Sequence, residues 1–151
     1  MTDAPRPTPG RLSTLPSRLL AQATVHSERL VGEGLAAVGA RKWHYAVLAA
    51  LQEYGPASQA ELSRRARIYR SDMVAVLNEL ADGGYVERAP DRADRRRNVI
   101  TITAQGRRRL DTLDGLIATL QGELLAPLSA AERDELVRLL TVLAAHHGDG
   151  M

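Results

Sequence analysis

The sequence has no cysteine and no phenylalanine, and its 151 residues include one tryptophan and four tyrosines. Without cysteine there is no disulfide framework, no thiolate zinc site and no thiol redox switch. With so few aromatics, leucine and alanine must fill most of the core, a composition that favours helix over sheet. No apolar run approaches the roughly 20 residues needed to cross a bilayer. The first residues also lack the basic-then-apolar order of a secretory leader, so the chain is expected to be cytoplasmic and free of the membrane. A phosphate-binding glycine loop, an activated nucleophile and a His/carboxylate spacing suited to a metal are all missing. The expectation is a protein that is not an enzyme and needs neither cofactor nor metal. His146 and His147, though adjacent, fall at a frayed end.

What is present is a globular balance, 44% hydrophobic and 25% charged, in a chain long enough for one real core. The net charge of +2 is spread unevenly: residues 41–110 hold 14 Lys/Arg against 8 Asp/Glu. The middle of the chain is therefore the basic part, which suggests a polyanionic partner once a fold gives it context.

Residues 1–12, with Pro5, Pro7, Pro9 and Gly10, read as a flexible arm, and residues 148–151 as a frayed end. A first helix is expected from Thr14 or Leu15 to about Val38, with Pro16 in its first turn and Gly32 and Gly34 bending it or admitting a close neighbour. A second helix spans Lys42 to Tyr54. A third, capped by Ser58 with Glu61 three residues on, runs to Arg67. A fourth covers Arg70 to Asp82, stopped by Gly83 and Gly84. The period then changes from helical to alternating, giving strands over Tyr85–Arg88 and Val99–Thr103. Thr103 caps a fifth helix through Leu125, and Ser129 with Glu132 caps a sixth ending near His147.

Two short helices joined by a tight turn and followed by a basic hairpin form the order of a winged helix-turn-helix. At about 100° per residue, Met73, Val76, Leu77 and Leu80 make one stripe of the fourth helix. Ser71, Ala75 and Asn78 lie opposite, with Val74 and Glu79 at the borders. These groups suit a helix that enters a groove: Asn can bridge adenine, Ser can donate or accept, and Val or Ala can meet a thymine methyl. Arg70 stands at the helix start, in reach of a phosphate or guanine. Arg92, Arg95, Arg96 and Arg97 crowd the hairpin tip, where an arginine can enter a narrow minor groove.

At these residues the chain resembles the MarR family of regulators. The wing reads Asp94, Arg96, Ile100, Ile102, Thr103 and Gly106 in the family's spacing. Upstream, Glu61-Leu62, Ile68, Ser71, Leu80, Gly84 and Tyr85-Val86-Glu87-Arg88 resemble its central helices and first wing strand. The resemblance implies a mainly α fold with a small antiparallel β-hairpin wing, in which a winged helix-turn-helix lobe (about 41–103) is flanked by dimerisation helices (about 13–38 and 104–147). It implies a homodimer on a pseudo-palindromic double-stranded operator, acting as a repressor relieved by a small aromatic or phenolic effector. Arg96 would be the minor-groove residue and Asp94 would hold the wing arginines. Leu113, Leu116, Ile117, Leu120, Leu136, Leu139, Leu140 and Leu143 would be the apolar surface for the partner. Arg67 departs from the pattern by standing where glycine is common, so either the turn differs in shape or Arg67 reaches a DNA phosphate. Tyr69 is a poor cap, so packing or DNA contact is expected of it.

His26 with Trp43-His44-Tyr45 offers either an effector pocket, with rings to stack and imidazoles to meet an anion, or ordinary core packing. A second reading of the whole chain is a winged helix that binds protein rather than DNA; Arg70 and the arginine-rich wing argue against it.

Overall fold

The computed structural model describes residues 6–148. The elements in chain order are α1 (Gly10–Ser13), α2 (Pro16–Ala36), α3 (Lys42–Tyr54), β1 (Ala57–Ser58), α4 (Gln59–Ala66), α5 (Arg70–Asp82), β2 (Val86–Pro90), β3 (Asn98–Ile102), α6 (Ala104–Leu124) and α7 (Ala130–His147). Two of these depart from the sequence reading. The expected arm contains a turn of helix, α1, whose Leu12 and Ser13 amides bond the Pro9 carbonyl. The wing gains a third strand, because Ala57 and Ser58 pair with Ile100 and Val99. Residues 1–5 of the expected arm and 149–151 of the expected frayed end lie outside the described residues.

The sheet is antiparallel in the order β1-β3-β2. Ile100 is its centre, opposite Arg88 on one side and Ala57 on the other. With 1% of its surface exposed, Ile100 joins the core of α3, α4 and α5. The stripe expected on α5 is all there: Met73, Val76, Leu77 and Leu80 are buried with Leu48, Leu51 and Leu62. Each such side chain contributes about 1.5–3 kcal/mol relative to exposure.

Two joints set the wing and the long helices around this core. Gly84, at φ +78°, turns the chain out of α5, a conformation that costs a residue with a Cβ. Thr103 then locks the far end of the wing: its Oγ1 donates to the Gly84 carbonyl at 2.7 Å and accepts from the Gly106 amide at 3.0 Å, capping α6. Gly106 lies so close to β2 that a Cβ there would stand 2.1 Å from the Tyr85 carbonyl oxygen. On the other side α2 crosses α6 at Gly34, where a Cβ would stand 2.6 Å from Leu120 Cδ1.

That crossing corrects part of the apolar surface expected for a partner. Leu113 and Leu120 are buried within the chain, and Leu116 and Ile117 pack half-buried against the core. α7 is the reverse: it has no buried residue, and Val137, Leu139, Leu140, Val142 and Leu143 are exposed, as are Leu19, Leu20 and Val25 of α2. Its start is well made all the same, since Ser129 and Glu132 complete a capping box, with bonds of 2.9 and 3.2 Å. At α4 only half of the box forms: Ser58 Oγ accepts from the Glu61 amide, while the Glu61 carboxylate lies toward Arg65, 3.8 Å away.

Candidate nucleic-acid interface

The outward face of α5 is the one the helical phase marks. Arg70, Ser71, Val74, Ala75 and Asn78 are exposed, and Tyr69, the N-cap, is 68% exposed without making a side-chain cap. Tyr69 thus leaves its ring in solvent at the entrance to the helix rather than in the core. The preceding turn is closed by Arg67 in the left-handed region, φ 54° and ψ 46°, the one non-glycine residue at positive φ among the described residues. A bulky side chain there costs of order 1–2 kcal/mol. The Arg67 guanidinium stands beside the end of α7, where a Cβ on Gly148 would lie 3.2 Å from Nη1.

The wing tip, residues 91–97, is held by its own acids. Asp91 Oδ1 accepts from the Ala93 amide at 2.9 Å, and its other oxygen lies 3.7 Å from the Arg97 guanidinium. Asp94 Oδ1 accepts from the Arg96 amide at 3.1 Å, and its carbonyl accepts from the Arg97 amide at 3.0 Å. These short-range bonds are Asx-type turns that define the loop without a core. Arg96 projects with 95% of its side chain exposed, and Arg92 and Arg95 are exposed beside it.

Three contacts bring in residues that the sequence reading did not single out. Between the start of α4 and the wing lies a cleft of about 310 Å³ walled by Gln59, Ala60, Arg70, Arg96, Arg97 and Asn98. Three arginines line it beside the start of α4, an arrangement that suits an anion such as a backbone phosphate. Arg88 of β2 donates to Asn78 Oδ1 at 2.5 Å, tying wing to helix. Arg41, ahead of α3, donates from Nη2 to both carboxylate oxygens of Glu79 in α5, at 2.6 and 2.7 Å, and His44 Nε2 bonds the same carboxylate at 2.5 Å. His44 Nδ1 accepts from the Arg41 amide at 3.1 Å, so the ring hydrogen sits on Nε2 and is donated to Glu79. Burial pushes the Glu79 carboxyl up, but the bonds from His44 and Arg41 outweigh it and hold the group below the usual carboxylate range. Nothing local in the sequence announces a pair 38 residues apart.

The expected effector cluster does not converge on one cavity. Consecutive residues of a helix point about 100° apart. Trp43 faces a cleft of about 690 Å³ between α2 and the start of α3, which Val31, Ala36, Arg41 and Lys42 also wall. His44 turns toward Glu79. Tyr45 donates to Asp114 of α6 at 2.6 Å, a bond that, with burial, raises its pKa above 10.0. His26 is exposed on α2 and lines none of these cavities.

Comparison with known proteins places this geometry. Residues 39–97, from the turn before α3 to the wing tip, match the sequence profile of the MarR family. The HTH-type transcriptional repressor NicR of Pseudomonas putida is 28% identical over 96 residues, 64% of this chain, and the match spans 61% of NicR's own length. The transcriptional repressor CouR, solved bound to a 23-mer DNA duplex, superposes with a TM-score of 0.83 at 27% identity, covering 92% of this chain and 99% of that one. The PcaV regulator of Streptomyces coelicolor, solved with its natural ligand, gives 0.77 at 26% identity over 92% of this chain and 98% of that one. With the helix pair, the arginine-rich wing and the long flanking helices all in place, the chain is similar to the MarR family of transcription regulators over its central lobe and shares the winged helix-turn-helix fold of CouR and PcaV.

Proposed function

We propose that this protein is a repressor that binds a pseudo-palindromic DNA operator as a two-fold dimer and releases it when a small aromatic acid binds. One observation supports the DNA reading above the others: Arg70 at the start of α5 and Arg96 and Arg97 of the wing wall one cleft, while Ser71, Val74 and Ala75 stand exposed on α5. α5 would lie in the major groove, Arg96 in the neighbouring minor groove, and the cleft at α4 on a phosphate. CouR, similar over nearly its whole length, is a DNA-bound repressor. The dimer reading rests on α7 and α2, whose exposed leucines and valines would be covered by a second copy.

The acidic ligand is suggested by Trp43 and Arg41 at one cleft, and by PcaV, whose structure contains its natural ligand. A regulator of this kind works in the cytoplasm and performs no chemistry of its own. No helix among the described residues is long and apolar enough to cross a membrane.

Selection of duplexes from a random pool tests the reading. The expected product is an inverted repeat with half-sites about one helical turn, roughly 10 base pairs, apart. Its affinity should fall steeply with salt as phosphate contacts release counterions. Recovery of no common sequence, with a flat salt dependence, would favour the protein-binding alternative.

A further inference from the structure

Arg41 belongs to two places at once. It walls the 690 Å³ cleft beside Trp43, and its guanidinium is turned toward Glu79 of α5, with Nη2 donating to both carboxylate oxygens. Arg41 and Glu79 stay about half exposed, at 51% and 43%, so neither is locked in a core and the pair can open. Lys42 does not offer the cleft an equivalent group, because its ammonium sits over the Trp43 ring, 4.5 Å from the centroid. The remaining charge on the cleft wall is Glu28, which repels an anion. A carboxylate entering this cleft therefore has one planar guanidinium to recruit, and that group is already oriented onto Glu79 through Nη2.

Resting on the acidic-ligand reading above, we propose that Arg41 is shared between ligand and recognition helix: an aromatic carboxylate in the cleft takes the guanidinium from Glu79 and so loosens α5 from α3. Glu79 is then held by His44 alone, whose ring is already fixed by the Arg41 amide on its other nitrogen. The second half of α5 loses its charged tie to the start of α3 while its buried stripe stays in place. Ligand and Glu79 compete for one group, so each weakens the other's hold by the same factor.

The single tryptophan is Trp43, so its fluorescence reports the cleft directly. Benzoate and its neutral analogue benzamide are titrated against the wild type, Glu79→Gln, Arg41→Gln and the double variant. Removing the competing carboxylate should tighten benzoate by about fivefold or more and leave benzamide unchanged, the latter also showing that the variant cleft is intact. The gain should vanish when Arg41 is Gln. A gain that persists in the Arg41→Gln background would mean a general charge effect and overturn the proposal. So would a Glu79→Gln protein that binds benzoate as the wild type does; if Arg41→Gln still weakens benzoate in that case, the ligand site stands and only the sharing falls. No benzoate response in the wild type or in Glu79→Gln, with duplex binding intact, overturns the ligand reading and the sharing together.

Discussion

Arg88, in the first wing strand, donates a 2.5 Å hydrogen bond to the side-chain oxygen of Asn78 on the recognition helix. The helical phase alone makes Asn78 a base reader, but in the fold its carbonyl is already engaged and its place is the second half of α5, beside β2. The bond makes it a brace that sets the wing's angle to the helix. Asn78→Asp keeps an acceptor for Arg88 and should retain operator binding within a few-fold. Asn78→Ala should weaken all operator variants alike. Binding selections on both proteins check this; an altered base preference at one position, with a loss of about 1–3 kcal/mol, would return Asn78 to base reading.

The buried glycine of the wing motif gives a stability prediction. A Cβ on Gly106 would meet the Tyr85 carbonyl at 2.1 Å and Ile102 Cγ1 at 2.8 Å. The first obstacle is backbone just ahead of β2, a carbonyl held by the Thr103 amide, which cannot rotate aside. Gly106→Ala should destabilise by about 1–3 kcal/mol, the ordinary range for overpacking, and be read as a lower midpoint in thermal or urea unfolding. Gly32, with nothing within 4 Å of its would-be Cβ, is the control. Gly32→Ala should stabilise α2 by up to about 1 kcal/mol.

Those two glycines mark what was legible in the sequence. Helix limits came from local chemistry, such as Ser129 with Glu132 and the pair Gly83-Gly84, and they hold to within two residues at α3, α5 and α7. The two-residue β1 was not legible, because it is defined by its partners Val99 and Ile100 some 40 residues on rather than by its own pattern. The same limit applies to the site. The exposed face of α5 and the wing arginines follow from local period and charge. The tie from Arg41 to Glu79, and the division of Trp43, His44 and Tyr45 among three neighbours, depend on packing of distant elements. Leu113 and Leu120 looked available to a partner because a leucine stripe alone does not tell which copy of the chain buries it.

Tyr45 supplies a pH prediction. Its hydroxyl donates to Asp114, and that bond, with burial and the carboxylate's charge, raises its pKa above 10.0. A group whose folded pKa is raised stabilises the fold below its unfolded pKa, and that stability is lost as pH rises through the folded value. Stability should therefore decline above pH 10, and Tyr45→Phe should lower stability by about 1 kcal/mol near neutral pH while flattening the alkaline decline. Tyrosinate absorbance should show one late-titrating tyrosine in the wild type that is missing in the variant. An unchanged titration would place the bond outside the solution structure.

The exposed apolar residues of α7 should behave as an interface. Leu140→Lys with Leu143→Lys places two charges where a partner would bury leucines, and neither residue is buried in the chain's own core. The expected result is a monomer by sedimentation that keeps its helical circular dichroism and loses high-affinity operator binding. A variant that remains dimeric would move the interface to another face.

The wing separates ordering from charge at one acid. Asp94 accepts from the Arg96 amide at 3.1 Å, whereas its carboxylate lies 4.0 Å from the Arg96 Nε, and the Arg96 side chain is 95% exposed. The structural bond is thus to backbone, and it needs an acceptor oxygen rather than a negative charge. Arg96→Ala should weaken operator binding substantially without altering the fold, since the side chain supports no core contact. Asp94→Ala should also weaken binding even though it removes a charge that repels DNA, because the loop presenting Arg96 and Arg97 loses its turn. Asp94→Asn keeps the acceptor and removes the repulsion, so it should bind at least as tightly as the wild type. Affinities for one duplex at two salt concentrations give the order: Asn equal to or tighter than Asp, and both tighter than Ala. If Ala and Asn both bind more tightly than Asp, the carboxylate has no ordering role, and the wing acts on DNA only through its net charge.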